Sequence, residues 1–226
     1  MRFLLAAILL IPAFASSETV IGKIVRSDGL VKKININCRG TGCGSKSRNI
    51  TPGERIKTAN KSSARVLLKD GTAIIIHGNS DLIVTRVRLR DRDRPTELYL
   101  EKGKIQVIQK NSFLDTSLII KTPVSITKSV NSEINIVTAK DETAVFVYSG
   151  EAGFAGTTPS KDKAFILTGG DESSVKRDES PVSPVKVKIT LRTSWLGRHI
   201  ISEDARRILV YKNEGLPADW PFIKND

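Results

Sequence analysis

Short runs of β-branched residues, each followed by a glycine-containing turn, recur from Thr19 to about Thr168 of this chain. The runs have the length of strands, and glycine supplies the positive φ angle that a tight turn needs. No stretch of this region keeps a helical period for long. The pattern therefore predicts an all-β fold, either a multi-hairpin β-sandwich or roll, or a β-solenoid-like stack.

Two of these turns are specific enough to suggest hairpins. Ser27-Asp28-Gly29 lies between the runs 21–25 and 30–36. Asp70-Gly71 lies between the runs 64–68 and 72–76. Asp-Gly between two apolar runs is typical of a type I′ turn, in which both central residues have positive φ. We therefore expect Asp70 and Gly71 to define a hairpin.

The first fifteen residues have the composition of a secretory signal peptide. Arg2 supplies a positive charge, Phe3 to Pro12 is almost wholly apolar, and Ala13-Phe14-Ala15 has small residues where signal peptidase reads. The apolar run is shorter than the roughly 20 residues that cross a bilayer, which disfavours an uncleaved anchor. We expect an exported protein of the periplasm or cell envelope, or else a secreted or surface-exposed one, with no transmembrane segment after cleavage.

The remaining chain divides into three parts. A β domain spans 16–172, a linker or surface loop rich in serine, charge and proline spans 173–184, and a short C-terminal strand–helix extension spans 185–226. Ser202-Glu203-Asp204 is a typical helix start, because its hydroxyl can cap free amides and its acids face the positive end of the helix dipole. The extension also holds Trp195, Trp220 and Phe222, which favour docking onto the β domain over a separate partner-binding patch.

Cys38 and Cys43 are the two cysteines, and both lie in the exported part. An oxidising compartment favours a disulfide between them, and the short loop limits its stabilisation to about 2 kcal/mol. Metal binding is the alternative, but the two histidines, His77 and His199, are distant in sequence. We expect a disulfide and no metal.

Catalytic motifs are not evident in the sequence. The glycine-rich stretch 40–47 lacks the spacing of a phosphate-binding loop, and no Gly-x-Ser-x-Gly elbow accompanies the two histidines. The sequence therefore predicts a protein that is not an enzyme and that holds no cofactor.

The strongest charged feature is a set of arginines at every second position. If one strand continued to Pro95, their guanidinium groups would share one face and could bind carboxylates or phosphates. A solvated outer face is the alternative. The candidate binding surface consists of Arg86, Arg88, Arg90, Arg92 and Arg94.

The formal net charge of +12 indicates acidic partners. An anionic glycan, an anionic lipid surface and an acidic protein all satisfy this requirement. Nucleic acid is not expected, because only 5% of residues are aromatic and single-stranded sites stack bases on aromatic rings.

Seven segments recur in an order typical of one known domain. They are Pro52–Thr58, Ser62–Thr72, Gly78–Ser80, Leu100–Lys104, Ile120–Pro123, Val147–Glu151 and Leu167–Asp171. This order of turns resembles the periplasmic domain of the FecR family, known from regulators of ferric-citrate-type iron uptake, and the resemblance covers about residues 20 to 172.

Three features depart from the family pattern. Val130-Asn131-Ser132 stands where the family usually has Arg-Gly-Thr, and the insertion with Cys38 and Cys43 is extra. A signal peptide also replaces the cytoplasmic anti-sigma segment and transmembrane helix of the signalling members. The resemblance implies the fold and a non-catalytic, protein-contacting role, and it does not imply iron sensing.

These observations together predict an exported, non-catalytic FecR-like β module that binds an envelope protein or acts as a scaffold there. The alternatives are a surface adhesin or anionic-glycan-binding protein that uses the arginines, and then an envelope hydrolase.

The signal peptide is directly testable. N-terminal sequencing of the protein recovered from its native envelope is expected to begin at or near Ser16. Mature, correctly located protein that retains Met1 would contradict the prediction.

Overall fold

The computed structural model describes residues 19–36, 44, 47–88, 94–109, 117–158 and 164–187. These residues form β-strands and contain no helix, which confirms the all-β prediction. The signal peptide, both cysteines and the helix predicted from Ser202 lie outside the described residues. The strands are β1 Gly22–Asp28, β2 Val31–Asn35, β3 Asn49–Ile50, β4 Glu54–Thr58, β5 Ser63–Leu68, β6 Ala73–Ile76, β7 Asp81–Arg86, β8 Thr96–Ile108, β9 Ser117–Lys121, β10 Ser125–Thr138, β11 Glu142–Gly156, β12 Ala164–Thr168, β13 Asp171–Lys176 and β14 Val185–Lys186.

Strand pairing divides the sheet into two layers. Layer 1 has the order β3-β1-β5-β6-β8-β10-β11-β13-β14. Layer 2 has the order β2-β4-β7-β8-β9-β10-β11-β12. Three long strands, β8, β10 and β11, contribute one half to each layer. The β8–β9 pair is parallel and the other pairs are antiparallel.

The inward-facing side chains of both layers meet in one hydrophobic core. Ile76 and Ile136 contribute from layer 1, and Leu100 and Phe154 contribute from layer 2. All four are at most 1% exposed. Full burial of such a side chain stabilises the fold by roughly 1.5–3 kcal/mol. The core therefore joins the two layers into one folded unit.

The chain passes between the layers at three places with the same local geometry, which we call corners. In each corner a residue with positive φ is followed by a serine, and that serine packs against a glycine that also has positive φ. Corner 1 is Lys61-Ser62 with Gly29, corner 2 is Asn79-Ser80 with Gly103, and corner 3 is Asn131-Ser132 with Gly150.

Hydrogen bonds reinforce the first two corners. The amide of Leu30 donates to Ser62 Oγ, and the amide of Lys104 donates to Ser80 Oγ, each at 2.9 Å. Corner 3 uses Asn131 at φ 46°, where the family pattern has glycine. Asparagine adopts this left-handed region more readily than most residues, so Asn131 can occupy this position without the conformational freedom of glycine.

The hairpin expected at Ser27-Asp28-Gly29 is not formed. β1 pairs with β3 and β5 in layer 1, whereas β2 pairs with β4 in layer 2. Gly29 has the positive φ of a turn residue, but the turn carries the chain through corner 1 into the other layer. The sequence pattern located the turn correctly and assigned the wrong pairing partner.

The Asp70-Gly71 turn joins β5 to β6 as expected, but its type differs from the prediction. Gly71 has φ 87° and Asp70 is not among the positive-φ residues. The amide of Gly71 donates to the carbonyl of Leu68, and the amide of Leu68 donates to the carbonyl of Thr72. This is a three-residue loop, in which only the last residue needs a left-handed backbone. The prediction of positive φ at both residues was wrong for Asp70.

The segment expected to be a linker or surface loop begins as regular structure. β13 occupies Asp171–Lys176 and pairs with β11. Residues 177–184 then form a loop along its outer edge, where the amide of Val182 donates to the carbonyl of Ser174.

Corner 2 allows a direct test of the corner geometry. Gly103 has φ 101°, and an added Cβ would overlap Ser80 Cα and Oγ. Gly103→Ala is expected to lower the free energy of unfolding by about 2–5 kcal/mol, from backbone strain and overpacking.

Gly153→Ala is the matched control for that variant, because Gly153 lies on a bent strand but its nearest non-neighbouring atom would be 3.8 Å from the new Cβ. Gly153→Ala is expected to change the free energy of unfolding by no more than about 0.5 kcal/mol. Urea denaturation measures both variants, and equal effects would contradict the proposed constraint.

Candidate functional site

The arginine series does not lie along one continuous strand. β7 ends at Arg86, and Arg88 follows it as a buried residue that is 8% exposed. Arg94 is exposed in a bend, while Arg90 and Arg92 lie outside the described residues. The flat strand through Pro95, on which a shared guanidinium face depended, is therefore not formed at the described positions.

A hydrogen-bond chain explains why the backbone leaves β7 at this point. The amide of Arg88 donates to Thr96 Oγ1 at 3.0 Å, and the Thr96 hydroxyl donates to the buried carboxylate of Asp70. The other oxygen of Asp70 accepts the amide of Thr72 at 2.9 Å. Asp70 thus joins the β5–β6 loop to the start of β8, so its role here is structural.

Ion pairs hold four cations on the outer face of layer 2, two around each of two carboxylates. The Glu97 carboxylate forms ion pairs with the Arg86 guanidinium at 3.1 Å and with the Lys121 ammonium at 2.5 Å. A second group joins Asp81 to Arg55 and Lys57, as the buried carboxylate lies 3.4 Å from the Arg55 guanidinium and 3.1 Å from the Lys57 ammonium. Each group therefore keeps one net positive charge, and its cations are held in ion pairs instead of forming a regular row of arginines.

His77 is the one histidine among the described residues, and it is buried beside corner 2. Its amide donates to the carbonyl of Lys104, and its carbonyl accepts the Thr58 hydroxyl. Burial, followed by the positive charge of Lys104, lowers the pKa of His77 to about 3. A neutral imidazole without solvent contact is poorly suited to exchange protons with a substrate. In the described part of the chain, no group of three or more metal-ligating side chains comes together.

Exposed apolar side chains concentrate instead on the outer face of layer 2, across β10, β11 and β12. Ile126 and Val130 on β10 are 39% and 41% exposed, and Ile166 on β12 is 73% exposed. Between them β11 presents Gly153, which pairs with both Lys128 and Ile166. Because glycine has no side chain, the surface is low at Gly153, but exposed Lys128 lies between Ile126 and Val130 and exposed Glu151 lies beside Val130. We call this surface the β10–β12 strip.

The sequence carries one local indication of this strip, which the search for charged and catalytic motifs did not reveal. The run Ala164-Phe165-Ile166-Leu167-Thr168 has no charged residue or proline, although strands at a sheet edge usually carry them. Periodicity alone cannot identify a strand as an edge strand, because that depends on which strands pair with it. The arginines, by contrast, were conspicuous in sequence, but among the described ones Arg88 is buried and Arg86 is paired with Glu97.

The low pKa of His77 predicts a specific pH dependence of stability. Unfolded His77 takes up a proton below pH 6.5, whereas the folded side chain stays neutral to about pH 3. The free energy of unfolding therefore falls as pH decreases through this window, by up to about 1.4 kcal/mol per pH unit. His77→Gln should remove about 2 kcal/mol of the loss between pH 7 and pH 5, measured by urea denaturation. An unchanged pH dependence would contradict the prediction.

The comparisons with solved structures agree with the observed fold. Two crystal structures of a candidate anti-sigma factor from Parabacteroides distasonis ATCC 8503 each align with a TM-score of 0.51 and 14% sequence identity. The alignments cover 63% of this chain, and 64% and 63% of the two solved chains. The chain thus spans less than two thirds of the proteins it matches, and the likeness concerns the fold alone.

The sequence comparisons give one family match, which covers part of the chain. No curated protein sequence matches the chain. Across the described residues, we find no helix of the length and hydropathy required to cross a membrane. Residues 54–153, from the start of β4 into β11, match the family model described as FecR protein. This stretch includes corners 2 and 3, and the match confirms the resemblance to the FecR family over residues 54–153.

Proposed function

We propose that this protein is an exported, non-catalytic module of the cell envelope that binds a protein partner through the β10–β12 strip. The observation that carries the proposal is the combination of exposed apolar side chains with an edge of β12 that no described strand pairs. The FecR domain supports a regulatory role in which the module contacts another protein, and the likeness to a candidate anti-sigma factor is consistent with that role.

The edge of β12 differs from the other described edges of the two layers. β2 carries two lysines in five residues, and β3 and β14 have only two residues each. β12 has five residues without charge or proline, and among the described strands it pairs only with β11. Natural sheets usually protect such an edge, because its free amides and carbonyls can pair with another chain. An exception of this kind favours a binding role.

The chemistry of the strip defines the partner that would fit it. An extended segment could add to the β12 edge through main-chain hydrogen bonds, and its alternate side chains would face Ile166. Apolar side chains suit those positions. Lys128 lies on β10, two strands away from the β12 edge, so it would not contact a segment added there. The proposed partner is therefore an extended protein segment with alternating apolar residues.

An adhesin that binds an anionic glycan or lipid surface is a weaker alternative. The surface expected for such a ligand was a row of arginines on one strand, whereas β7 ends at Arg86 and Arg88 is buried. An envelope hydrolase is weaker still, because His77 is buried and neutral.

Photo-crosslinking in the native envelope tests the proposed binding surface. A photoreactive residue at position 164, beside Ile166 on the outer face of β12, is expected to capture a partner protein. Ile166→Lys in the same chain should reduce that capture at least tenfold, because a lysine at the edge opposes strand addition. Its melting temperature should change little, since Ile166 is largely exposed.

Leu30→Lys is the matched control, as Leu30 is 58% exposed but lies at corner 1. It should leave capture at position 164 unchanged. Capture should also persist from about 50 to 500 mM salt, because apolar and main-chain contacts are screened little. Normal capture by Ile166→Lys would refute the surface, and loss of capture at high salt would favour the glycan or lipid alternative.

A further inference from the structure

The outer face of layer 1 is buried, although it faces away from the core. Ile75, Gln106, Asn135 and Phe146 pair in register across four neighbouring strands and so lie in one row on the same face. Their exposures are 7%, 3%, 2% and 0%. None of the four belongs to the central hydrophobic cluster, whose members occupy alternate positions on these strands. The row therefore lies on the side opposite to layer 2.

Polar side chains on this face are also removed from solvent. Gln106 donates to the buried carboxylate of Glu133 at 2.8 Å, and Asn135 donates to the Tyr148 hydroxyl at 3.3 Å. The ring of Tyr148 packs edge-on against Phe146, with centroids 4.7 Å apart. A sheet face composed in this way resembles an interior surface, since antiparallel sheets that border water usually present polar, exposed side chains there.

No described strand covers this face. Every described strand either pairs within layer 1 or belongs to layer 2, on the other side of the core. The internal stretches outside the described residues are too short and are tethered at both ends, as none has more than seven residues. Residues 1–15 are predicted to be cleaved. Among the stretches of this sequence outside the described residues, 188–226 is long enough and is not predicted to be cleaved.

The described chain ends in the right place for this stretch to act as the cover. Val187 donates its amide to the carbonyl of Gly170 at 2.9 Å, directly after β14 has paired with β13 at the edge of layer 1. Lys186 anchors the same point, with its ammonium 2.9 Å from the carboxylate of Asp171. From β14 to β6 there are five strand spacings, or about 24 Å. Residues 188–226 exceed that reach several-fold even when partly helical.

We propose that residues 188–226 fold back over the outer face of layer 1 and pack apolar side chains on the row from Ile75 to Phe146. The stretch contains both tryptophans of the chain, Trp195 and Trp220, as well as Phe222. Aromatic side chains bury large areas and pack well against Ile75 and the Phe146 ring. The C-terminal stretch is thus part of the folded module and seals a second sheet face. This proposal is independent of partner binding at the β10–β12 strip.

Intramolecular photo-crosslinking of the purified full chain tests the proposal. The photoreactive residue is introduced by the substitution Ile75→p-benzoyl-L-phenylalanine. After illumination, mass spectrometry of the crosslinked monomer should locate crosslinks within residues 188–226. Ile83 provides the matched control, because it faces outward on β7 of layer 2. Ile83→p-benzoyl-L-phenylalanine should give no crosslink to that stretch. If position 75 does not tolerate the probe, the half-buried outward position Val137 on β10 replaces it.

Tryptophan fluorescence gives a second readout, because it reports only on residues 188–226 in this chain. Ile75→Glu should shift the emission to longer wavelength and speed proteolysis of the stretch at least tenfold, while Ile83→Glu should change neither. Crosslinks from position 75 to a second copy of the chain, or to none of residues 188–226, would overturn the proposal. An unchanged emission spectrum in a folded Ile75→Glu protein would also overturn it. None of these measurements needs a partner protein, so their failure is distinct from failure of the proposed function.

Discussion

The close contact between a glycine and a serine at each corner is the constraint on which the two-layer arrangement depends. At corner 2 the backbone of β8 passes so near Ser80 that no side chain fits at position 103. This contact lets a strand leave one layer and join the other without losing its hydrogen-bonded neighbours for more than one or two residues. With three such corners, inward side chains from both layers converge on one core.

Much of this fold could be predicted from the sequence, because strand identity and turn position are local properties. The apolar runs located the strands, and Gly29 located a turn correctly. Gly103 and Gly150, which the pattern placed in turns, instead lie within β8 and β11 where these strands bend. Pairing was less predictable, as β1 and β2 show. Period-two patterns identify the face of a strand that is buried, but they do not identify the neighbouring strand. The Asp70-Gly71 loop was placed correctly, but its type depends on loop length, which the dipeptide does not fix.

The candidate site was harder to predict, since exposure and ion pairing are properties of the folded chain. Five evenly spaced arginines suggested an anion-binding face, yet Arg88 is buried and Arg86 is paired with Glu97. The interior also contains a buried ion pair, in which the ammonium of Lys33 lies 2.7 Å from Glu54 Oε1. Removing one partner of such a pair would leave an uncompensated buried charge, so the pair restricts variation at both positions. Net charge alone was therefore a poor guide to the binding surface.

The bent strands have a consequence for how the molecule responds to force and heat. β11 is a single covalent segment that presents Phe146 on layer 1 and Gly153 on layer 2. Together with β8 and β10, it prevents either layer from separating while the other remains intact. Local opening is then confined to edge strands, and the amides of these three strands should exchange with solvent only when the whole domain unfolds. A ligand bound at β12 would therefore slow hydrogen exchange of the β12 amides. Exchange of the amides in β8, β10 and β11 would still depend on the global stability of the domain.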